Sequence, residues 1–191
     1  SAYRILVASS PRVLARDRGD LWDTGKVASS ETTQIAYAGK QLRSRMECWW
    51  KVRVWDGNGM PSGWSRPARW AMGLLSRSDW RAHWIGCNVD RSRADDPTYL
   101  PAPLLRREFT VKGPVRRAVV YATGAGIYEL WLNGKRVGSD LFTPGWTEYD
   151  KRLYYQGYDV TRLLRPGARN ALGAVLGDGW YGLHHSGRGR L

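Results

Sequence analysis

Residues 46–55 alternate between apolar and other side chains and lead directly into a turn sequence. The alternating apolar positions are Cys48, Trp50, Val52 and Val54. A period of two puts neighbouring side chains on opposite faces of a β-strand, so we predict a strand with one apolar face and one polar, Trp-bearing face. The tetrapeptide Asp56–Gly59 favours a tight turn. Residues 64–72 are therefore predicted to return as the partner strand of a hairpin.

Short strand-like runs separated by turn residues continue along the chain, and helical periodicity is nearly absent. The other predicted strands are residues 3–8, 21–27, 32–37, 105–111, 117–122, 128–132, 153–159 and 172–176, with a short return strand from Arg136. Residues 123–126, 143–149 and 177–181 are predicted to be turns and loops. The pattern predicts an all-β chain of two β-sandwich modules in tandem. Residues 1–77 form an immunoglobulin-like or fibronectin-type sandwich, 78–103 a connector and 104–191 a second sandwich.

Composition and charge exclude several classes of function. The chain has 30 Lys and Arg against 17 Asp and Glu, a formal net charge of +13. The basic residues are scattered and no helix carries a basic stripe, so a solvated basic surface and no nucleic-acid partner are favoured. A pair of basic, nucleic-acid-binding β domains remains as an alternative. No apolar run approaches the roughly 18 residues of a membrane-spanning helix, and the 2 Cys cannot form a four-thiolate zinc site.

Catalytic signatures are also missing. The sequence has neither a Gly-rich phosphate loop nor a Gly-x-Ser-x-Gly nucleophile elbow. The carboxylates that stand out are Asp56, Glu129, Asp140, Glu148, Asp150 and Asp178. A glycosidase needs two carboxylates across one bond, roughly 5–10 Å apart, and no spacing here marks such a pair. We therefore assign no catalytic residue.

A dense series of motifs in the second block resembles a known enzyme family. The motifs are YELWLNGKRVG at 128–138, PGWTEY at 144–149, YDVT at 158–161 and GDGWY at 177–181. The first block adds WDTGKV at 22–27, YAG at 37–39 and WKVRVWD at 50–56, and SDWRAHWIG follows at 78–86. In this order they resemble the N-terminal region of bacterial α-L-rhamnosidases, family 78 of the glycoside hydrolases. The likeness covers nearly the whole chain.

The resemblance implies a fibronectin-type module followed by a jelly-roll, galactose-binding-like sandwich, here expected to be C-terminally incomplete. It implies an inverting enzyme that removes terminal α-L-rhamnose from plant glycosides or polysaccharides. In that family the catalytic acids belong to a helical α/α-barrel further along the chain. The 191 residues are therefore expected to be a non-catalytic front end, with the barrel and a rhamnose-containing carbohydrate as partners. A carbohydrate-binding front end of another glycosidase is the alternative.

Candidate ligand-binding residues follow from the same resemblance. No cofactor is expected to be required, but in some relatives the β-sandwich binds L-rhamnose beside a calcium ion. Such a site needs an aromatic platform for the sugar and oxygen atoms for hydroxyls and metal. Residues of suitable chemistry in turns and loops are Asn133, Asp140, Trp146, Tyr149, Asp178 and Trp180. Asn133 also suits a left-handed turn, and both Trp side chains also suit capping the sandwich or docking on the barrel. No metal ligand is assigned.

Overall fold

The computed structural model describes residues 1–86 and 102–184, with side chains up to Tyr181. The chain divides into two compact units, Ser1–Ala82 and His83–Leu191, and the division falls inside the predicted connector. Antiparallel sheets make up both units, which confirms the all-β prediction. Within the described residues, no helix has the length and apolarity needed to cross a membrane.

Unit 1 is built on one antiparallel sheet. Its elements are β1 (Ala2–Ala8), α1 (Pro11–Leu14), β2 (Trp22–Asp23), β3 (Val27–Ala28), β4 (Glu47–Trp55), β5 (Ala68–Ala71) and a 3-10 turn at Arg77–Asp79. The strand order is β2-β1-β4-β5, and β3 also pairs with β1. Val7 lies opposite Trp50 in the central β1–β4 pair. The predicted hairpin is present, because the Asp56 carboxylate accepts hydrogen bonds from the N–H groups of Asn58 and Met60 at 2.9 Å.

The polar face predicted for β4 is wrong, because both faces of the sheet are covered. Cys48 belongs to one buried cluster with Val7 and Leu21. On the other face Lys51 is only 6% exposed. Its ammonium pairs with the Asp17 carboxylate and lies 4.9 Å from the centre of the Trp64 ring. The long stem of a lysine can pack on apolar surface when its charge is paired, so a polar position in the sequence becomes an interior one.

Three strand predictions in unit 1 need correction. Residues 32–37 form no strand, and Tyr37 instead packs edge-on against Trp22 with ring centres 5.2 Å apart. The predicted strand 21–27 splits into β2 and β3 around Gly25, whose φ is +62°. In the hairpin return only Ala68–Ala71 forms a strand. Before it, the hydroxyls of Ser62 and Ser65 accept hydrogen bonds from the N–H groups of β4, so side chains replace part of the backbone ladder.

Unit 2 consists of two antiparallel sheets that enclose one core. Its elements are β6 (Leu104–Thr110), β7 (Val119–Ala122), β8 (Ile127–Leu132), β9 (Lys135–Arg136), β10 (Gln156–Asp159), a 3-10 turn at Thr161–Leu163, β11 (Arg169–Gly177) and α2 (Gly179–His184). One sheet has the order β6-β11-β8-β9, and β7 pairs with β10 in the other. The loop predicted at 177–181 is wrong from Gly179 onward, where α2 begins.

Alternate residues of β8 form the centre of this core. Tyr128, Leu130 and Leu132 are buried together with Val137 and Val160. A partly open apolar cavity of about 360 Å³ lies beside them. Its lining comes from β6, β7, β8 and β11, including Leu132, and from the connections that join β6 to β7 and β10 to β11. Because Tyr128 and Leu132 are buried, both ends of β8 are fixed in the core. The connections at its two ends carry chemically different side chains.

Candidate functional site

The connection between β9 and β10 is fixed on the N-terminal end of β8. The Tyr128 N–H donates to the Thr143 carbonyl at 2.8 Å, and the Thr143 hydroxyl donates back to the Tyr128 carbonyl at 2.5 Å. The Gln156 side-chain amide also donates to the Pro144 carbonyl at 3.1 Å. These bonds hold the middle of a long connection to the core, so the side chains around it have defined positions.

This connection and α2 form a surface that we call the aromatic end. Its exposed apolar side chains are Leu141, Phe142, Trp146, Tyr154 and Tyr155. Phe142 is 66% exposed, although its φ of +55° is a costly conformation for a bulky residue. Such local strain at an exposed aromatic residue is typical of functional surfaces. From α2, the Trp180 ring packs edge-on against Phe142, with ring centres 6.1 Å apart.

Five of the six predicted binding residues lie on the segments that form the aromatic end. Asp140, Trp146 and Tyr149 belong to the β9–β10 connection, whereas Asp178 and Trp180 follow β11. Tyr149 contacts Tyr181 of α2 edge-on, with ring centres 5.3 Å apart. Gly177 pairs with Ile127, the first residue of β8, so Asp178 lies near the same end of β8 as the connection. Among the three aromatic residues of this set, Trp146 is the most accessible, with 62% of its surface exposed.

The carboxylate of Asp140 lies near the phenol groups of Tyr158 and Tyr128. Burial, together with this carboxylate, raises the pKa of Tyr158 above its ordinary value. Burial also raises the pKa of Tyr128 to about 12. Both phenols therefore stay protonated at neutral pH and can act as hydrogen-bond donors beneath the aromatic end.

Asn133 lies at the opposite end of β8. It follows Leu132 and lies six positions after Ile127, about 20 Å away along the strand. Its φ of +53° supports the left-handed turn geometry that the Asn-Gly pair favours. The side-chain amide donates to the Leu163 carbonyl and to the Asn170 side chain, both at 2.8 Å. Its oxygen accepts from the Ala171 N–H at 3.0 Å, so the side chain joins three segments of the domain.

Leu141, Phe142, Tyr154 and Tyr155 of the aromatic end were not among the predicted site residues. Sequence reasoning assigns apolar residues of a β-rich chain to the core by default. Leu141 and Phe142 directly precede a segment without period-two alternation, at 143–149, and this was the available signal. Tyr154 and Tyr155 fall in the predicted strand 153–159, of which only Gln156–Asp159 forms a strand, so both lie in the connection instead. Apolar residues outside any periodic pattern are better candidates for exposed contact surfaces.

The described residues do not fit a dedicated calcium site. Among them, no group of three or more His, Cys, Asp or Glu side chains is close enough to hold a metal ion. Calcium takes 6–8 oxygen ligands, usually including several carboxylates. Asp140 and Asp178 are both exposed acids of the aromatic-end segments, but the acid-rich group that calcium favours is missing from the described part. The calcium implied by the resemblance therefore stays a prediction.

Comparisons with known proteins match both units to domain families. Residues 1–76 match the family described as Rha78A-like, N-terminal immunoglobulin domain. Residues 113–190 match the family described as α-L-rhamnosidase N-terminal domain. The two matched segments occur in the same order as the two compact units and leave the region between them unmatched.

Several relatives are similar over nearly the whole chain. An α-L-rhamnosidase of Alteromonas sp. (strain LOR) is 41% identical over 184 residues, which cover 95% of this chain and 20% of the relative. The structure of α-L-rhamnosidase from Dictyoglumus thermophilum has a TM-score of 0.83 and 38% identity, covering 93% of this chain and 21% of that one. The crystal structure of Streptomyces avermitilis α-L-rhamnosidase complexed with L-rhamnose has a TM-score of 0.83 and 25% identity, covering 95% and 33% of the two chains. The chain spans between a fifth and a third of the length of the curated relatives that it matches.

Proposed function

This chain belongs to the N-terminal β-sandwich region of the α-L-rhamnosidase family, and on this premise we propose that it is the non-catalytic front end of such an enzyme. The parent enzyme would hydrolyse terminal α-L-rhamnose from plant glycosides or polysaccharides. One observation carries this proposal: an immunoglobulin-type domain and a rhamnosidase N-terminal domain follow one another in a single chain, at 1–76 and 113–190.

A non-catalytic role agrees with the chemistry of the described residues. Inverting hydrolysis needs one acid to protonate the leaving oxygen and a second carboxylate to activate water. Many described carboxylates are instead held by basic side chains, as Asp23 is by Arg4 at 2.7 Å and Glu47 by Arg69 at 2.8 Å. Such pairing keeps a carboxylate ionised and its pKa low, as for Asp23, which opposes the role of a general acid. We therefore assign catalysis to another part of the polypeptide.

The aromatic end is proposed to dock on the catalytic domain of the same polypeptide. A cluster of exposed apolar side chains is more typical of a contact surface than exposed apolar side chains that are scattered singly. The backbone beneath Phe142 is anchored to β8, so this surface is formed before any partner binds. Preorganisation of this kind reduces the entropic cost of docking. A second role, rhamnose binding, is favoured by Trp146, whose exposed ring can stack on the apolar face of a pyranose.

Activity measurements test the proposed front-end role. We expect the 191-residue chain to release no nitrophenol from an aryl α-L-rhamnoside, whereas the full-length polypeptide releases it. Turnover by the 191-residue chain that disappears when one of its own carboxylates is replaced would overturn the non-catalytic assignment. Full-length protein that hydrolyses other aryl glycosides but never the rhamnoside would overturn the assigned substrate.

The Trp146→Ala variant distinguishes docking from sugar binding, and Trp84→Ala is the matched control. Trp84 is 64% exposed, close to the 62% of Trp146, but lies outside the aromatic end. Docking predicts that Trp146→Ala lowers the melting temperature of the full-length protein while leaving that of the 191-residue chain unchanged. Rhamnose binding predicts calorimetric heat with L-rhamnose for the 191-residue chain that Trp146→Ala removes and Trp84→Ala retains. Wild-type behaviour of Trp146→Ala in both assays would refute both roles.

A further inference from the structure

Three connections of unit 2 meet at the end of β8 that lies opposite the aromatic end. They are the β6–β7 connection at 111–118, the β8–β9 turn at 133–134 and the β10–β11 connection at 160–168. The Gly167 N–H donates to the Val111 carbonyl at 2.9 Å, and the Ala118 N–H donates to the Thr161 hydroxyl at 2.9 Å. Asn133 bonds to the Leu163 carbonyl at 2.8 Å. Segments that are remote in sequence therefore form one surface, which we call the basic end.

The basic end carries a concentration of uncompensated positive charge. Its exposed cations are Lys112, Arg116, Lys135, Arg162 and Arg165. The ion pairs among the described residues include none of these five side chains. Two further cations nearby are compensated, since Arg117 lies 3.8 Å from Asp159 and Arg169 lies 3.0 Å from Glu108. The basic side chains that looked scattered in the sequence are thus partly gathered by the fold.

A buried polar network holds the backbone beside two of these cations, Arg165 and Lys135. The Asn170 side chain, in a residue only 1% exposed, accepts from the Arg165 N–H at 2.8 Å and donates to the Arg165 and Ala168 carbonyls at 3.0 Å. It also accepts from Asn133, which leads into Lys135 through the turn. The backbone at Arg165 and at the turn before Lys135 is therefore held by side-chain hydrogen bonds, and less ordering is needed there when an anion binds.

We propose that the basic end binds an anionic polysaccharide, a chain that bears carboxylate or sulfate groups. The choice of a carbohydrate rests on the proposed function, in which the parent enzyme acts on rhamnose-containing glycans. Guanidinium groups can form paired hydrogen bonds with carboxylate and sulfate oxygens, and several fixed cations can contact successive charges of one polymer. A nucleic acid is a weaker fit, because the exposed large hydrophobic residues of unit 2 include none in the three connections on which bases could stack.

Affinity electrophoresis of the 191-residue chain in gels containing polygalacturonate tests this proposal, with neutral dextran and duplex DNA as comparison polymers. The basic-end variant replaces three cations: Lys135→Gln, Arg162→Gln and Arg165→Gln. A matched variant removes the same charge from unit 1 through Arg12→Gln, Arg16→Gln and Arg18→Gln, which are also exposed and outside the ion pairs described. Circular dichroism and thermal melting verify that each variant is folded. Lys135→Glu is a single substitution that reverses one charge of the basic end.

We expect retardation by polygalacturonate at ~50 mM salt, none by dextran, and about a tenfold or greater loss of affinity in the basic-end variant only. Equal losses in both triple variants would overturn the proposal, because net charge alone would then explain binding. Absence of binding by the wild-type chain would also overturn it, as would tighter binding of duplex DNA that depends on the same residues. None of these results involves the aryl rhamnoside assay, so failure here leaves the proposed enzyme activity intact.

Discussion

Replacing Asn170 with Ala should show how strongly the basic end is built into the fold. The side chain takes part in four hydrogen bonds of 2.8–3.0 Å, with Asn133, with the N–H and carbonyl of Arg165 and with the carbonyl of Ala168. Truncation leaves the Arg165 N–H and both carbonyls without this partner. Each buried polar group that loses its partner costs about 1–3 kcal/mol, and the cost is lower where water can enter. Since these groups lie in a surface connection, we expect a total loss of about 2–4 kcal/mol in the free energy of unfolding of unit 2.

The measurement is denaturant unfolding of the wild-type and Asn170→Ala chains, supported by thermal melting. For a domain of this size 1 kcal/mol shifts the melting temperature by roughly 4–8 °C, so the lower bound of 2 kcal/mol corresponds to about 8 °C. Asn58→Ala is the control, because Asn58 is exposed in the hairpin turn of unit 1 and only its backbone N–H is bonded to Asp56. It should change stability by less than about 0.5 kcal/mol. Hydrogen exchange should also accelerate at the Arg165 amide.

A second substitution separates hydrogen bonding from loss of volume. Asn170→Asp keeps the size of the side chain and the oxygen that accepts from Asn133 and from the Arg165 N–H. It replaces the donor amide with a second carboxylate oxygen that faces the Arg165 and Ala168 carbonyls. This variant should regain stability as the pH falls through the raised pKa of the new carboxyl, because its protonated form can donate one of the lost bonds. A stabilising role of the Asn170 hydrogen bonds would be refuted if the unfolding free energy of Asn170→Ala were within about 0.5 kcal/mol of wild type. The same conclusion would follow if Asn170→Asp showed the pH dependence of wild type.

Three further substitutions or treatments test other parts of the structure. Leu132→Ala should lower the free energy of unfolding of unit 2 by about 3–5 kcal/mol, because it enlarges the apolar cavity. In the same denaturant-unfolding experiment, Leu104→Ala at the exposed start of β6 should lower it by less than about 0.5 kcal/mol. The Arg4 guanidinium holds the pKa of Asp23 below its ordinary value of 3.8, so the pair stabilises unit 1 at neutral pH, and this contribution should fade as the pH falls below that value. Melting temperatures of wild type and Asp23→Asn should therefore converge in acid. Burial raises the pKa of the Cys48 thiol, so Cys48 should react with a thiol reagent only after denaturation, and labelling in the native state followed by peptide mapping would contradict its burial.

Local sequence patterns predicted the main strands well because those patterns reflect strand geometry itself. The alternation at 46–55 gave β4 to within one residue at its start, and Asn133-Gly134 adopted the positive φ angles, +53° and +80°, that a tight hairpin turn requires. The division into two β modules was also available from turn spacing and from the ordered motifs. These features depend on neighbouring residues, so no long-range information was needed.

The misassignments share a different cause, which is contact between segments far apart in sequence. Lys51 became buried because Asp17, 34 residues earlier, pairs with its ammonium group. Tyr37 was predicted to lie in a strand, but its hydroxyl donates to the Leu21 carbonyl at 3.2 Å and its ring packs on Trp22. α2 is only six residues long, and its Trp180 and Tyr181 contact the β9–β10 connection. Periodicity alone does not encode such tertiary contacts.

Only the loop positions of the candidate site residues can be compared with the fold, and their binding role stays a prediction. Asp140, Trp146, Tyr149, Asp178 and Trp180 were chosen as loop residues of suitable chemistry, and the fold places them on the segments of one end of unit 2. The basic end was not predictable in this way, because its cations come from two connections and from the start of β9, which only the antiparallel pairing of β6, β11, β8 and β9 brings together. A scattered charge pattern in a β-rich sequence therefore does not exclude a localised charged surface.

The placement of these two surfaces at opposite ends of β8 makes their functions separable. Tyr128 anchors the aromatic end at one end of the strand, and Asn133 anchors the basic end about 17 Å away at the other. Substitutions more than 7–10 Å apart that share no partner usually have additive effects, so replacing Trp146 should not alter polyanion binding and replacing Lys135 should not alter docking. The two proposed contacts, docking of the aromatic end and polyanion binding by the basic end, therefore need no residue in common.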